Sequence, residues 1–350
     1  MEKIKVVQIG IGHDHAYSTL VTLKNQKDMF DLAGVVVLDG EDHALKRYPD
    51  FLDNTKQLTL EEAFAVPGLE AVFVETDDTR LTKYAQMAAD RGLHIQMDKP
   101  GSCNHEDYIK LLSTMKAKGK VFHPGYMYRY NPAVQKLLAD VKAGKLGEIL
   151  CVEAQMSCTL RADKLPWLVS FPGGMLYYLG CHLIDLILQI QGVPDAITPL
   201  STATKLGGYT VDDFGMAVFQ YEKGVSMVKS IAMEIGGYMR RQFVVCGTEG
   251  TVELRPFEYY APDVEGWELP LYTGVSEVYK SDIIGKGWSD QRKCYDTPPY
   301  DRYIAMVRAF GSIIRGEMEP PVSYEHEELL HRVLLHACGV EIDYKAEVTL

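Results

Sequence analysis

Short apolar runs alternate with stretches of helical periodicity over the first 123 residues of the chain. The apolar runs are nearly continuous, which is typical of strands that are buried on both faces of a sheet. They predict strands over residues 4–9, 32–38, 71–74, 94–97 and 121–123. Helical periodicity separates the strands, as over residues 79–90 and about 104–118. This alternation predicts an α/β fold with a doubly wound parallel sheet.

The pattern changes after residue 123. A helix is predicted over residues 132–142, and the chain beyond it predicts strands over residues 148–158, 211–221, 225–234, 242–246 and 251–254. Further helices are predicted over about 174–191, 301–315 and 325–338. We therefore expect two domains: residues 1–123 with the parallel sheet, and residues 124–350 as an α+β domain with an open, mostly antiparallel sheet.

Composition limits the classes of partner. The net charge of -12 disfavours nucleic acid and anionic membranes, because both require a basic surface. No apolar run is long enough to span a bilayer, and the first residues do not resemble a signal peptide, so we expect a cytoplasmic protein. The seven cysteines include no C-x-x-C pair, which predicts reduced thiols rather than a zinc knuckle or disulfides.

The segment "QIGIGHDH" follows the first strand and opens the first helix. Gly10 permits a tight turn, and Gly12 lets a pyrophosphate approach the backbone N–H groups, so we expect Gly10, Ile11, Gly12 and His13 to contact a dinucleotide. His15 stands where the motif usually has its third glycine.

The same loop offers a metal-binding interpretation through His13, Asp14 and His15. We expect no metal there, because adjacent residues in a tight turn point in different directions and no Cys or His cluster lies nearby in sequence. In a third interpretation, Asp14 stabilises the positive end of the helix and the histidines hydrogen-bond locally.

Asp39 ends the second predicted strand. A carboxylate at this position suits the ribose hydroxyls of NAD and repels the 2'-phosphate of NADP. No arginine follows at once, and Arg47 lies well down the chain. The pattern predicts NAD, with NADP less favoured, unless Asp39 only caps a turn.

Two further segments carry candidate chemistry. Lys99 in "IQMDKPGS" follows the predicted strand over residues 94–97, where its ammonium can polarise a carbonyl or stabilise an alkoxide, although it can equally be a surface lysine in a turn. Tyr178, His182 and Asp185 fall on one face of a predicted apolar helix. They form either a buried hydrogen-bonded trio or a proton-handling site.

In this order, the motifs resemble one family, named for glucose-fructose oxidoreductase, inositol dehydrogenase and MocA (Gfo/Idh/MocA). The resemblance covers the glycine loop, "MDKP", "GYMYRYNP", "PGGMLYYLGCHLID" and "GTEGTVEL". It implies an N-terminal Rossmann domain that binds a nicotinamide cofactor, and a C-terminal sheet that shapes the substrate pocket and mediates homo-oligomerisation as a dimer or tetramer. It also implies oxidation or reduction at a carbinol carbon of a sugar, a cyclitol or a related polyol.

By the same resemblance, Lys99 contacts the reacting oxygen and His182 acts as acid or base. The family's catalytic aspartate, four residues before that histidine, is replaced by Tyr178, so the usual Asp–His pair is missing. Further cofactor contacts are expected from Thr76 in "ETDD" and from Asp98. Candidate substrate-binding residues, besides Lys99, are Tyr126, Arg129, Trp167 and Asp185.

The leading hypothesis is an NAD-dependent sugar or polyol dehydrogenase in which Lys99 stabilises the oxygen and His182 or Tyr178 carries its proton. A second hypothesis keeps NAD bound while a hydroxyl is transiently oxidised to allow an elimination. A third is a dinucleotide-binding sensor without catalysis, which the retention of both Lys99 and His182 disfavours.

Overall fold

The computed structural model describes residues 2–262, 270–283 and 291–350. These residues divide into two compact units. Unit 1 contains the described residues up to Met127 together with Tyr303–His331 and Val348–Leu350. Unit 2 contains the described residues of Tyr128–Arg302 and Arg332–Glu347.

The strands, in chain order, are β1 Ile4–Ile9, β2 Phe30–Val36, β3 Gln57–Leu58, β4 Ala71–Val74, β5 His94–Met97, β6 Phe122–Pro124, β7 Ile149–Gln155, β8 Ala196–Pro199, β9 Phe214–Tyr221, β10 Gly224–Ile231, β11 Gln242–Gly247, β12 Gly250–Leu254, β13 Tyr259–Tyr260, β14 Pro270–Tyr272, β15 Gly274–Tyr279, β16 Lys293–Asp296 and β17 Tyr300–Asp301. The α-helices are α1 Ala16–Asn25, α2 Asp42–Arg47, α3 Leu60–Phe64, α4 Leu81–Asp90, α5 His105–Ala117, α6 Pro132–Lys142, α7 Cys181–Gln191, α8 Ile304–Ile314 and α9 Tyr324–Ala337. None of the helices in the described ranges is long and apolar enough to cross a membrane.

Unit 1 is built around a parallel sheet with the strand order β3-β2-β1-β4-β5-β6. This confirms the predicted fold class, and the bounds of β1, β4 and β5 match the prediction. β2 ends at Val36 rather than near Asp39, and the two-residue strand β3 is too short for its pattern to be recognised.

The compact units divide the C-terminal part of the chain differently from the predicted domains. The first boundary, after Met127, lies close to the predicted one at residue 123, but α8 belongs to unit 1 and not to the second domain. Val307 and Phe310 of α8 are fully buried in a core cluster with Phe30 and Phe73 of the parallel sheet. Such a return of the chain is a long-range contact, which local periodicity does not reveal.

The helix boundaries of unit 1 follow from local chemistry. In the capping box of α3, Glu62 N–H donates to the Thr59 hydroxyl and the Glu62 carboxylate accepts from Thr59 N–H. At α5 the Asn104 side chain accepts the Asp107 N–H. In α4, Leu81, Ala85, Ala88 and Ala89 bury one face against the core of the sheet.

Unit 2 contains an eight-stranded sheet with the order β16-β15-β12-β11-β7-β10-β9-β8. Its neighbouring strands are antiparallel except for β7 and β10, which confirms a mostly antiparallel sheet. The prediction missed β8, β15 and β16, which lie at or near the edges of the sheet, where half-exposed strands have a weaker apolar pattern.

The predicted helix over residues 174–191 is not one regular α-helix. A π-helical turn, Leu176–Gly180, precedes α7, Cys181–Gln191. Gly173 and Gly174 have positive φ angles of +61° and +47°, outside the right-handed helical region, so the helix begins only after them. The π turn carries apolar residues throughout, and therefore the pattern gave no sign of it.

Candidate functional site

The glycine loop between β1 and α1 packs tightly against the segment that follows β4. Gly10 has a φ of +89°, and a Cβ atom there would lie 2.6 Å from the Cβ of Thr76. A Cβ atom at Gly12 would lie 2.8 Å from Glu41 Oε1 and 2.9 Å from the Asp77 nitrogen. Both positions therefore require glycine, as the dinucleotide motif predicts.

Glu41 is a site residue that the sequence analysis missed. Its buried carboxylate accepts hydrogen bonds from the Ile11 N–H at 2.8 Å, the Leu38 N–H at 3.1 Å and the Thr76 hydroxyl at 2.5 Å. Arg80 Nη2 donates to it at 3.0 Å. Glu41 therefore joins the glycine loop to the segments that follow β2 and β4.

The role of Asp39 as the partner of the adenosine ribose stays a prediction. Asp39 lies beyond the end of β2, its side chain is exposed, and its backbone carbonyl accepts a hydrogen bond from Arg80 Nη1 at 2.9 Å. The carboxylate that reaches the glycine loop is that of Glu41, two residues later. Arg80 brings a guanidinium to the same place, although no arginine follows β2 directly in sequence.

The histidines of the glycine loop form a cluster with carboxylates from the ends of two other strands. His13 Nδ1 lies 3.1 Å and His15 Nδ1 lies 3.0 Å from Oδ2 of Asp98. His13 Nε2 lies 3.2 Å from Asp78 Oδ1, and His13 Nδ1 lies 4.0 Å from Glu75 Oε2. The expectation that these two histidines point in different directions is therefore wrong, because both rings contact Asp98, which is distant in sequence.

Burial and charge act in opposite directions in this cluster. Burial disfavours a charged His13, yet the Asp98 and Asp78 carboxylates outweigh burial and hold the pKa of this imidazole well above its ordinary value. Burial raises the pKa of the Glu75 carboxyl, and the Asp98 carboxylate adds to the rise. Although Asp98 is buried, His13 and His15 keep its pKa well below the ordinary value. The Asp98 carboxylate is therefore the negative centre of the cluster.

Lys99 directly follows this cluster at the carboxyl end of β5. Its residue exposure is only 1%, which excludes the alternative of a surface lysine. Its backbone N–H donates to Asp98 Oδ1 at 2.7 Å. Nearby, the Tyr126 hydroxyl donates to the Pro100 carbonyl at 3.5 Å, and a Cβ atom at Gly125 would lie 2.9 Å from Asp98 Oδ1. Gly125 and Tyr126, which begin the "GYMYRYNP" motif, thus lie against the "MDKP" motif within unit 1.

In unit 2 the predicted catalytic residues lie among aromatic rings. The Tyr178 ring lies in the π turn. Its centroid is 4.8 Å from that of Trp167, in an edge-to-face arrangement, and 6.2 Å from that of Phe171, in a stacked arrangement. Trp167 is partly exposed. His182 in α7 is buried, with its ring 4.9 Å from that of Tyr128. The proposed hydrogen bond of Tyr178 to His182 stays a prediction.

Arg129 and Asp185, both predicted to bind substrate, are paired with each other. Arg129 Nε and Nη2 donate to the two carboxylate oxygens of Asp185 at 2.8 and 2.7 Å, and both side chains are almost fully buried. Gln189 donates to Asp185 as well, at 3.0 Å. The geometry of this bidentate pair is typical of a structural ion pair.

Family models match both parts of the chain. A model described as "Oxidoreductase family, NAD-binding Rossmann fold" matches residues 4–126, and the GFO/IDH/MocA C-terminal domain matches residues 134–253. The chain belongs to the Gfo/Idh/MocA family. The resemblance inferred from the order of the motifs is thereby confirmed.

This Gfo/Idh/MocA protein is 26% identical over 277 residues to D-xylose 1-dehydrogenase (NADP(+)) 2 of Haloferax volcanii, and the match covers 78% of either chain. It is 23% identical over 201 residues to D-glucoside 3-dehydrogenase of Escherichia coli, which covers 51% of this chain and 56% of that protein. The solved structure of levoglucosan dehydrogenase in complex with NADH aligns with a TM-score of 0.76 at 18% identity, over 97% of this chain and 96% of that one. At this identity the structural likeness supports the fold.

The sequence analysis also missed a buried network of hydrogen bonds and ion pairs around Glu258 in unit 2. The Tyr128 hydroxyl donates to Glu258 at 2.5 Å, and Arg241 Nη1 and Arg302 Nε donate to the same carboxylate at 3.0 and 3.1 Å. Burial and the Glu258 charge raise the pKa of Tyr128 well above its ordinary value. His182 therefore packs against a phenol that stays protonated. The members are far apart in sequence, so no local spacing pointed to them.

Proposed function

We propose that this protein is an NAD(P)-dependent oxidoreductase that transfers a hydride between nicotinamide and a carbinol carbon of a sugar, cyclitol or glycoside. The observation that carries the proposal is the buried Lys99 at the carboxyl end of β5, in the same unit as a glycine loop that fits a dinucleotide. Open α/β sheets bind their ligands at the carboxyl ends of their strands.

We assign the dinucleotide to the loop of Gly10, Ile11 and Gly12, with the Glu41 carboxylate serving the adenosine ribose. When bound, the cofactor supplies the hydride donor or acceptor. Glu41 favours NAD, because its negative charge repels the 2'-phosphate of NADP. Arg80, which lies beside Glu41, has the opposite effect, because its positive charge attracts that phosphate. One relative is named for NADP(+) and a similar structure holds NADH. We propose that the repulsion by the fully buried Glu41 is stronger than the attraction by Arg80, and that the protein therefore prefers NAD.

Lys99 is the residue that we assign to the reacting oxygen. An ammonium that is fixed by its buried position stabilises the negative charge that develops on the carbinol oxygen as hydride leaves, and needs no reorganisation to do so. A positioned base must accept the hydroxyl proton. We assign this role to His182, the residue that matches the family's histidine, with Tyr178 in place of the absent aspartate.

The substrate class rests on the relatives and on the aromatic residues of unit 2. Two relatives are named as a D-xylose dehydrogenase and a D-glucoside dehydrogenase. Trp167 is partly exposed beside Tyr178, and apolar ring faces beside hydroxyl groups suit a polyol. The cytoplasmic location and the homo-oligomeric state expected from the sequence stay predictions.

The test is a panel of aldoses, cyclitols and glycosides incubated with NAD+ or NADP+, with the absorbance of the reduced nicotinamide as the readout. We expect at least one substrate to support turnover, and the Lys99→Met variant to lower that turnover by about a hundredfold or more. Substrate consumption without net reduced cofactor would support the elimination hypothesis instead. Dinucleotide binding without any consumption across the panel would support a sensor.

A further inference from the structure

The cluster of His13, His15, Glu75, Asp78 and Asp98 contains three carboxylates and two imidazoles in the interior of unit 1. His13, Glu75, Asp78 and Asp98 are each at most 7% exposed. His15 is the most accessible member, with a side-chain exposure of 15%. The dinucleotide motif uses only the backbone of this loop, so that motif does not account for the side chains.

Three ligand atoms converge on one point. One nitrogen of His13, one nitrogen of His15 and one oxygen of Asp98 all lie within 4.8 Å of one another. The two nitrogen-to-oxygen distances are 3.1 and 3.0 Å. Neighbouring ligand atoms around a tetrahedral zinc ion are about 3.3 Å apart, as follows from bonds of about 2.0–2.1 Å. The side chains need to move outward by only a few tenths of an ångström, an estimate from the same bond lengths.

Three buried polar atoms border this point. Within the part of the chain that the structure describes, His13 Nε2, Asp78 Oδ1 and Glu75 Oε2 are buried without a hydrogen-bond partner. The backbone N–H of His15 donates to His13 Nδ1 at 3.2 Å, and a cation on that nitrogen takes the place of this contact. The ring proton then lies on Nε2, where Asp78 Oδ1, 3.2 Å away, accepts it. Such a carboxylate–histidine–metal arrangement is common at metal sites. Glu75 Oε2 lies 4.0 Å from His13 Nδ1.

The types of ligand atom indicate the class of cation. Imidazole nitrogens together with a carboxylate select first-row transition metals over calcium and magnesium.

We propose that His13, His15 and Asp98 bind one divalent first-row transition-metal ion such as Zn²⁺, with Glu75 as a fourth ligand and Asp78 hydrogen-bonded to His13. The ion would anchor the glycine loop to the end of β5. All of its ligands belong to unit 1, and the proposal does not depend on the assigned dehydrogenase activity.

The test is metal binding by the full-length protein with any affinity tag removed. After treatment with a chelator, the chain is titrated with Co²⁺, and the visible absorption of the coordinated ion is recorded, followed by displacement with Zn²⁺. We expect one equivalent of Co²⁺ per chain, displaced by Zn²⁺. Elemental analysis of the protein as purified is expected to show about one transition-metal ion per chain.

Variants locate the site. His15→Asn removes the ligand that is least buried. In a variant that still unfolds cooperatively on heating, it should abolish the Co²⁺ absorption. Asp78→Asn should weaken Co²⁺ binding about 10- to 100-fold, the usual effect of losing a group that orients a ligand. His43→Asn, at an exposed histidine of the same unit, is the matched control and should bind Co²⁺ normally.

The proposal is overturned if the wild-type chain binds no stoichiometric Co²⁺, or if His15→Asn binds it as well as His43→Asn does. The first result would mean that protons on His13 and Glu75 balance the charge. NADH binding by the same preparations, followed by fluorescence, is a separate readout, so that failure of the metal site and failure of the proposed function are distinguishable.

Discussion

The carboxylate of Glu41 accepts the backbone N–H of Ile11 at 2.8 Å, which joins the end of the β2 region to the glycine loop. This contact places a second carboxylate beside the loop, two residues after Asp39. This carboxylate matters for cofactor choice, because the charge next to the adenosine ribose decides whether a 2'-phosphate is tolerated.

Glu41→Gln is expected to shift cofactor preference toward NADP. The substitution removes the charge that repels the 2'-phosphate, retains an oxygen acceptor for the loop, and leaves Arg80 in place. The ratio of the Kd for NADPH to the Kd for NADH should fall by about tenfold, equivalent to about 1.4 kcal/mol. Asp39→Asn, with an exposed side chain, is the control and should leave the ratio within about twofold, or roughly 0.4 kcal/mol. The opposite ranking of the two variants would restore Asp39 as the discriminating residue.

Arg129→Met is expected to destabilise the protein by about 3–5 kcal/mol, because it leaves the Asp185 carboxylate buried without its partner. In the double variant Arg129→Met/Asp185→Leu no buried charge is left unpaired, so most of the lost stability should return. Denaturant unfolding measures the free energies. If Arg129→Met instead left stability unchanged and raised only the KM for the substrate, the residue would belong to the substrate pocket.

The free energy of unfolding is expected to fall as the pH drops below 6.5, in part because of His331. Its Nε2–H donates to the Ser102 carbonyl at 2.6 Å, its Nδ1 lies 3.0 Å from His105 Nδ1, and Tyr108 stacks on its ring at 4.4 Å. Burial lowers the pKa of His331 from 6.5 to about 3. Between pH 6.5 and about pH 3 the unfolded chain binds a proton at His331 that the folded chain does not bind. The free energy of unfolding therefore falls by about 1.4 kcal/mol for each unit by which the pH falls.

Unfolding curves between pH 7 and pH 4 measure this dependence. His331→Gln, which keeps a hydrogen-bond donor, should flatten it, and the same change at the exposed His43 should not. An equal slope in wild type and His331→Gln would mean that His331 is not the group responsible.

Tyr178→Phe is expected to lower turnover of the substrate found in the panel by at least about tenfold, within the usual range for a positioned proton-transfer group. Dinucleotide affinity and thermal stability should be retained, since the aromatic contacts with Trp167 and Phe171 remain. The matched control is Tyr177→Phe, which removes one hydroxyl from the adjacent buried tyrosine. Equal turnover in the two variants would mean that the Tyr178 hydroxyl takes no part in proton transfer and that His182 acts without it.

The sequence predicted those features that depend on neighbouring residues. The strands β1, β4 and β5 are continuous apolar runs, and Gly10 and Gly12 lie in a loop whose spacing is itself the motif. Lys99 was located because it directly follows a predicted strand.

Features formed by distant residues were missed. The approach of Asp98 to His13 and His15, the return of α8 to the parallel sheet, and the Arg129–Asp185 pair all join segments that are far apart in sequence. Periodicity says which face of an element is buried, but it does not say which element covers that face. Glu41 was missed for a related reason: β2 ends at Val36, and only the folded turn shows that a second carboxylate, two residues after Asp39, reaches the loop.

The central claim, that the glycine loop of unit 1 binds a nicotinamide dinucleotide, is tested most directly by titrating NADH into wild type and Gly12→Val while following nicotinamide fluorescence. The valine side chain would begin at a position 2.8 Å from Glu41 Oε1 and 2.9 Å from the Asp77 nitrogen, so it would fill the space between the loop and its neighbours. We predict saturable binding of one NADH per wild-type chain and, in a variant that still unfolds cooperatively on heating, at least about a hundredfold weaker binding, or roughly 2.7 kcal/mol. No saturable binding by wild type, or equal affinity in the folded variant, would contradict the account.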